Sequence, residues 1–186
     1  MAPRTKTMNE KQTTVYATVT SLQETAETIQ GDTLQHARAR FFYRFNEEAP
    51  LGELMQQPQF FEYFKFELAN CLGETIAAHD EQVQEVYYFD PNLNPDAQTE
   101  SDLPLDPTVN LLVLVKSKTA ALQSFIKALD SALTQQVRSL PSPLLADLNA
   151  TLNAILISEE DVVNGRGYAV LLKSLYNRPR RLWPSS

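Results

Sequence analysis

The most regular hydrophobic segment of the chain is "VNLLVLV", residues 109–115, which is apolar at almost every position. A continuous apolar run of this length is typical of a strand with both faces of its sheet covered. We therefore expect Leu112 and Val113 to point to opposite faces and both to be buried. Two further segments, "VQEVYYF" at 83–89 and "ATLNAILI" at 150–157, are rich in the branched and aromatic residues that favour strands.

Helical periodicity separates these strands. Pro58 suits the first turn of a helix, and the apolar stripe that follows it extends to about His79. The clearest amphipathic helix runs from Leu122 to Val137, between the second and third strands. Residues 109–157 therefore predict a crossover unit with parallel strands. Ser158 is expected to cap a short helical turn, and a last helix is predicted to begin at Gly167 and to stop near Pro179.

These elements predict an α/β or α+β domain over residues 58–183, with a small mixed sheet flanked by helices. Residues 1–12 are polar and are predicted to be frayed, and residues 184–186 form a tail. Residues 90–107 contain four prolines and cannot form a continuous helix.

The segment 13–57 is an N-terminal extension whose pattern fits either helices or a hairpin of strands. A helical stripe with alternating spacings of four and three residues is formed by Val15, Val19, Leu22, Ala26 and Ile29. The same region is rich in threonine, and residues 37–45 also alternate with period two. Gly31–Asp32 is expected to break the segment in both interpretations.

Charge and composition narrow the function classes. The chain has 186 residues and a formal net charge of −7, which disfavours nucleic acid and anionic membranes as partners. No apolar run approaches the ~20 residues of a membrane span, and the start lacks the apolar core of a secretory signal, so a cytoplasmic protein is expected. Cys71 is the only cysteine, and eight helical residues separate it from His79 by roughly 12 Å, so the two cannot form a nucleophilic pair.

The order and texture of residues 59–183 resemble the nucleotidyltransferase-like fold, particularly its small bacterial members. "VQEVYYF", "TVNLLVLV" and "TLNAILIS" take the places of the three family strands, and "GYAVLLKSLYNRPRRLW" is similar to the family's closing segment. The resemblance implies a Gly-Ser turn after the first strand, an Asp-x-Asp pair at the start of the second and a carboxylate on the third. Those carboxylates would hold Mg²⁺ for nucleotide transfer.

This chain departs from that pattern at each of those places. "DPNLN" follows the first strand, with Asp90 where the glycine turn is expected. Thr108 and Asn110 replace the aspartate pair, and Asn153 is neutral on the third strand. The sequence therefore predicts an inactive transferase that keeps a binding or assembly role and needs no cofactor. Asn110 is expected to border a vestigial pocket that is still open to water.

Two alternatives remain. Asp102 and Asp106, just before the second strand, could supply a displaced catalytic site that binds Mg²⁺ together with Asp90 and Asp96. The alternating Asp90, Asn92, Asn94 and Asp96 also suggest a calcium loop, but Pro95 stands where that loop needs glycine. The other alternative is an unrelated α/β interaction protein that binds a protein partner or a second copy of itself.

A basic cluster near the end of the chain is the one candidate for nucleic-acid contact. Arg178, Arg180 and Arg181 lie beside Trp183, a combination found in proteins that bind single strands. The acidic net charge favours a different interpretation, in which these arginines pair with the acidic body and Trp183 docks on it.

Overall fold

The chain alternates helices and strands after one long N-terminal helix. The computed structural model describes residues 7–45, 58–90, 106–139, 149–176 and 178–184, without the side chains of residues 7–22, 45, 58 and 59. The elements are α1 (Thr7–Phe45), α2 (Pro58–His79), β1 (Val83–Tyr88), β2 (Val109–Val115), α3 (Ala120–Arg138), β3 (Leu152–Ser158), α4 (Glu159–Asn164), a 3₁₀ helix (Gly167–Lys173) and β4 (Arg180–Trp183).

The four strands form one mixed sheet in the order β3-β2-β1-β4. β2 and β3 are parallel and are joined by α3, so the predicted crossover unit is confirmed. β1 runs antiparallel to both β2 and β4. The predicted mixed sheet with flanking helices is therefore the observed architecture.

Side chains of β2 are buried on both faces of this sheet. Val113 belongs to the larger hydrophobic cluster, which includes residues of α1, α2 and α3. Leu112 belongs to a smaller cluster on the other face, together with Phe89, Ile157 and Ala169 of the 3₁₀ helix. Both Leu112 and Val113 have 0% exposure, as the apolar run predicts. We call the face that carries α2 and α3 the inner face of the sheet, and the face that carries α4 and the 3₁₀ helix the outer face.

The N-terminal extension is a single helix, so both the hairpin and the break at Gly31–Asp32 were wrong. α1 begins at Thr7, within the segment predicted as frayed, and continues through Gly31 to Phe45. Ala26, Ala37 and Phe41 are fully buried where α1 packs against α2 and α3. This packing outweighs the cost of about 1 kcal/mol for a glycine inside a helix. Within the described ranges, no helix combines the length and apolar content needed to cross a bilayer.

Two glycines predict opposite responses to alanine. Gly31 lies in α1, and a Cβ there would meet no atom within 4 Å. Gly31→Ala is therefore expected to raise the free energy of unfolding by roughly 0.5–1 kcal/mol. Gly165 follows α4 with a φ of 61°, which alanine adopts only with strain, so Gly165→Ala is expected to lower stability. Urea denaturation of both variants measures the difference, and a destabilised Gly31→Ala would contradict a continuous α1.

The end of the chain also differs from its prediction. Instead of one helix up to Pro179, a 3₁₀ helix ends at Lys173 and β4 pairs with β1. Ala169 is the only fully buried residue of the 3₁₀ helix, so this segment lacks the apolar stripe that stabilises a longer helix. β4 lies on the sheet because Leu182 is buried in the larger cluster.

The start of α4 is a capping box, as Ser158 predicts. The Ser158 hydroxyl accepts the N–H of Asp161, and the Asp161 carboxylate accepts the N–H of Ser158. Lys118 Nζ lies 2.7 Å from the same carboxylate. These partners, Lys118 first, lower the pKa of Asp161 below its usual range.

This carboxylate makes the stability of the fold dependent on pH. Because the folded-state pKa of Asp161 is lowered, its contribution is complete above the unfolded value of ~3.9 and is lost as the pH falls below it. The melting temperature of Asp161→Asn is expected to lie below that of the parent at pH 7, with the gap narrowing below about pH 4. A gap that stays constant down to pH 2 would show that the charge of Asp161 is unimportant.

Candidate functional site

The start of β2 is built around an aspartate turn. The Asp106 carboxylate accepts the N–H of Thr108 at 2.9 Å, an interaction typical of turns that initiate a strand. The carbonyl oxygen of Asp106 accepts a hydrogen bond from Lys65 Nζ at 3.0 Å. The Thr108 hydroxyl donates to the carbonyl of Ala150 at 3.4 Å. Asp106 and Thr108, which the sequence placed among the candidate metal ligands and vestigial-site residues, therefore both have structural partners.

Asn110 and Asn153 face each other across β2 and β3. They are register partners in the parallel ladder, and Asn153 Nδ2 donates to Asn110 Oδ1 at 2.9 Å. Asn153 is exposed, but Asn110 is only 4% exposed. The expectation that Asn110 borders a water-filled pocket was therefore wrong. The sheet buries this position because Asn110 shares the outer face of β2 with Leu112.

Carboxylates gather beneath this strand start around a buried lysine. Lys65 of α2 is 4% exposed. Although the Glu62 side chain is exposed overall, partial loss of water around its carboxyl raises its pKa, the positive charge of Lys65 opposes that rise, and Asp90 and Asp106 add to it. Burial, followed by the charges of Asp90, Glu62 and Asp106, also raises the pKa of Tyr88. The Glu62 carboxyl is thus influenced both by the Lys65 ammonium and by the negative charges of Asp90 and Asp106.

These residues do not fit a divalent metal ion. Mg²⁺ and Ca²⁺ need several oxygen ligands with carboxylate charge, whereas Thr108 and Asn110 are neutral and already hydrogen-bonded. Among the described residues, no three Asp, Glu, His or Cys side chains are arranged to hold a metal. Asp96 and Asp102, the other proposed ligands, lie outside the described residues. The buried Lys65 ammonium would also repel a metal at this place.

Sequence reasoning identified Asp90 and Asp106 but missed Lys65, Glu62 and Tyr88. One signal was present, because Lys65 is a charged residue that immediately follows Phe64 on the apolar stripe of α2. A lysine next to a buried stripe needs an oxygen partner, which the Asp106 carbonyl supplies.

The C-terminal arginines contact the body of the domain. The Arg180 guanidinium lies 4.3 Å from the centre of the Phe66 ring, in cation–π geometry. Arg181 Nη1 lies 3.5 Å from Glu85 Oε1, and the Tyr87 hydroxyl donates to the same carboxylate. Trp183 packs against the larger cluster. Burial raises the pKa of Tyr87 to about 12, and the positive charge of the exposed Arg178 weakly opposes that rise.

The remaining candidate nucleophile and base are held in separate surroundings. Cys71 is buried, and burial raises the pKa of its thiol to about 11, so it is not a reactive thiolate. The His79 ring stacks on Phe125 with 3.5 Å between ring centres, and burial lowers its pKa. His36 is exposed on α1.

A segment rich in exposed apolar side chains runs through α4, the 3₁₀ helix and the residues that follow them. We call it the C-terminal apolar surface, and it consists of Val163, Tyr168, Val170, Leu175 and Tyr176. Leu175 and Tyr176 are about nine-tenths exposed, at 91% and 90%. Scattered apolar residues are ordinary on a protein surface, but a group of large ones in one short segment is typical of an interaction site.

Comparison with known proteins gives no relative for this chain: no family model, no curated protein and no solved structure matches it.

Proposed function

We propose that this chain is a nucleotidyltransferase-like domain that does not transfer nucleotides and acts instead by binding or assembly. The observation that carries the proposal is the hydrogen bond between Asn153 and Asn110. It engages two amides at positions where the resemblance implies metal-binding carboxylates. An amide pair of this kind stabilises the contact between two strands but cannot neutralise a metal ion.

The charges around the start of β2 support the same proposal. Lys65 supplies a positive charge that acts on Glu62 and lies at the backbone carbonyl of Asp106. In an active transferase of this class, that charge would come from the metal ion and would attract the nucleotide phosphates. Here the ammonium donates to the backbone of Asp106 and is closed off from solvent.

The binding role is supported by the C-terminal apolar surface. Its five side chains make up most of the large exposed hydrophobic residues in the described part of the chain. One of them, Tyr168, contacts Phe89 on the outer face of the sheet, with 5.8 Å between ring centres. A partner that covers Leu175 and Tyr176 would remove two large apolar side chains from water, which is the main source of affinity in protein association.

Nucleotide transfer is the direct test of the catalytic half of the proposal. Purified protein is incubated with labelled nucleoside triphosphates, Mg²⁺ or Mn²⁺ and protein, nucleic-acid and small-molecule acceptors. Incorporation is expected to stay at the level of a sample without the protein. Incorporation abolished by Asp102→Asn or Asp106→Asn would overturn the proposal and establish the displaced acidic site instead.

Site-specific photocrosslinking in cells tests the binding half. A photoreactive residue at Leu175 is compared with one at Tyr43, which is 94% exposed but lies on α1. A discrete adduct is expected from position 175 and not from position 43. Equal smears from both positions would show that exposure alone causes the crosslinks and would contradict a binding role for this surface.

A further inference from the structure

The two edges of the sheet differ in how they avoid pairing with another chain. β4, at one edge, is four residues long and carries Arg180 and Arg181, and short charged strands are poor templates for another strand. β3, at the other edge, is seven residues long and has no charged side chain between Leu152 and Ser158. Its central side chains are apolar and partly accessible to solvent. β3 is thus the unprotected edge.

The backbone groups on the open side of β3 can be assigned residue by residue. The N–H of Val109 donates to the carbonyl of Thr151, and Val109 is in register with Leu152. In a parallel ladder this means that the odd-numbered residues of β3 bond to β2 and the even-numbered ones point away from it. Two outward N–H groups at the strand ends already have side-chain acceptors. The N–H of Leu152 donates to the Asp130 carboxylate, and the N–H of Ser158 donates to the Asp161 carboxylate.

The outward backbone groups of Ala154 and Leu156 remain. In the part of the chain that the structure describes, no strand pairs with β3 on this side. A row of backbone donors and acceptors recognises another extended strand, because only a strand presents complementary groups at the same spacing. The chemistry of the edge therefore specifies a strand as its occupant.

We propose that this strand is β3 of a second copy of the chain, paired antiparallel around a two-fold axis at Ile155. This inference rests on the assembly role within the proposed function and concerns the β3 edge, which is separate from the C-terminal apolar surface. In that register Ala154 lies opposite Leu156 of the second copy, and the two residues exchange both of their backbone hydrogen bonds. The outward backbone groups of Ala154 and Leu156 in one copy are therefore hydrogen-bonded by the other copy. The N–H groups of Leu152 and Ser158, which already have side-chain acceptors, take no part in the pairing. An isologous contact of this kind is what a symmetric dimer requires.

The side chains agree with the same register. Ala154 and Leu156 both pack toward the inner cluster, so the pair extends the inner core across the axis. Ile155 lies on the outer face and meets Ile155 of the second copy at a position without hydrogen bonds, where cross-strand side chains approach most closely. The groove along this edge is bordered by one positive and one negative side chain, Lys127 and Asp130 of α3. Two copies that meet at this edge therefore do not bring together charges of a single sign.

Sedimentation velocity on the full-length chain tests the dimer, at protein concentrations from about 1 µM to about 100 µM, which bracket a micromolar dissociation constant. The parent is expected to shift from monomer to dimer over this range. Ile155→Glu places two like charges across the axis and is expected to weaken the dimer at least about tenfold, and Ile155→Lys likewise. An equimolar mixture of the two variants is expected to regain a mixed dimer.

A second variant keeps the test valid if substitutions at Ile155 impair folding. Ala154→Pro removes only an outward N–H, which an edge strand tolerates, and is expected to give a folded monomer. Tyr43→Glu is the control, since it adds the same charge at an exposed position of α1 outside the proposed contact and should leave the dimer unchanged.

A monomeric parent, or a dimer that survives both Ala154→Pro and Ile155→Glu, would overturn the inference. Neither result bears on nucleotide transfer or on crosslinking at Leu175, so the proposed function is tested separately.

Discussion

Replacing Leu112 by aspartate is expected to prevent the domain from folding. Leu112 has 0% exposure and is in the centre of β2, between Phe89 and Ile157 on the outer face. A carboxylate at this place would lie in an apolar cluster without a cationic partner, and burying an unpaired charge is among the most damaging substitutions known. Because domains are stable by only about 5–15 kcal/mol, we expect Leu112→Asp to be recovered as insoluble or protease-sensitive protein.

Asn110→Asp is the matched comparison, on the same face of the same strand. The new carboxylate could still accept a hydrogen bond from Asn153 Nδ2, so the bond between the two side chains survives the change. Burial of Asn110 nevertheless desolvates the new charge, and we expect a folded protein that is destabilised by roughly 1–3 kcal/mol. Circular dichroism melts of both variants separate the cases. A fully folded Leu112→Asp protein would contradict the position of β2 in the sheet.

Asp130→Ala is expected to be the second most damaging change. Asp130 Oδ1 accepts the N–H groups of Thr151 and Leu152 at 2.9 and 2.8 Å, and the Thr134 hydroxyl at 3.2 Å. These bonds tie α3 to the start of β3. Hydrogen bonds to a charged acceptor are the stronger kind, and their loss leaves the N–H of Leu152 without its acceptor, although the N–H of Thr151 keeps the Thr134 hydroxyl. We expect the free energy of unfolding to fall by about 3 kcal/mol.

Asp130→Asn is the control for that change, because its side-chain oxygen can accept the same N–H groups without the charge. We expect it to retain most of the stability lost in Asp130→Ala. Urea denaturation at neutral pH gives both values. Equal losses in the two variants would show that the charge, rather than the hydrogen-bond geometry, holds β3 to α3.

The strands and helices predicted best were those whose burial is visible in their own sequence. The apolar run of β2 requires cover on both faces, and the apolar stripe of α3 requires a packing partner on one side. Neither segment therefore fitted a second type of secondary structure. α1 was ambiguous because its threonines and alternating aromatics also fit a hairpin. Its helical form is decided by packing of Ala26, Ala37 and Phe41 against α2 and α3, which no local pattern contains.

β4 could not be predicted from its own residues. Four residues that begin with two arginines have no measurable periodicity, and a preceding proline suggested only the end of a helix. The strand forms because β1 offers it a ladder and because Arg180 stacks on Phe66 of α2. Both contacts come from residues far away in the sequence.

The candidate site was predicted in part. The sequence located the start of β2 and its neutral residues, and the structure adds that Asn110 and Asn153 are bonded to each other. Lys65 was missed because its role depends on the fold, which brings α2 next to the Asp106 carbonyl. Whether a side chain at a strand start is open or buried likewise depends on what covers the face, which explains the error at Asn110.

The position of β4 has a consequence for folding of the chain during its synthesis on the ribosome. β1 is completed at Tyr88, but the strand that covers its outer edge begins only at Arg180. At synthesis rates of 5–20 residues per second, β4 is made about 5 to 20 s after β1. During that interval the nascent sheet has two open edges, and the edge at β1 carries the apolar and aromatic residues Val86, Tyr87 and Tyr88. The exposure is longest when synthesis is slow, and a chaperone that shields β1 until β4 is made would then help most.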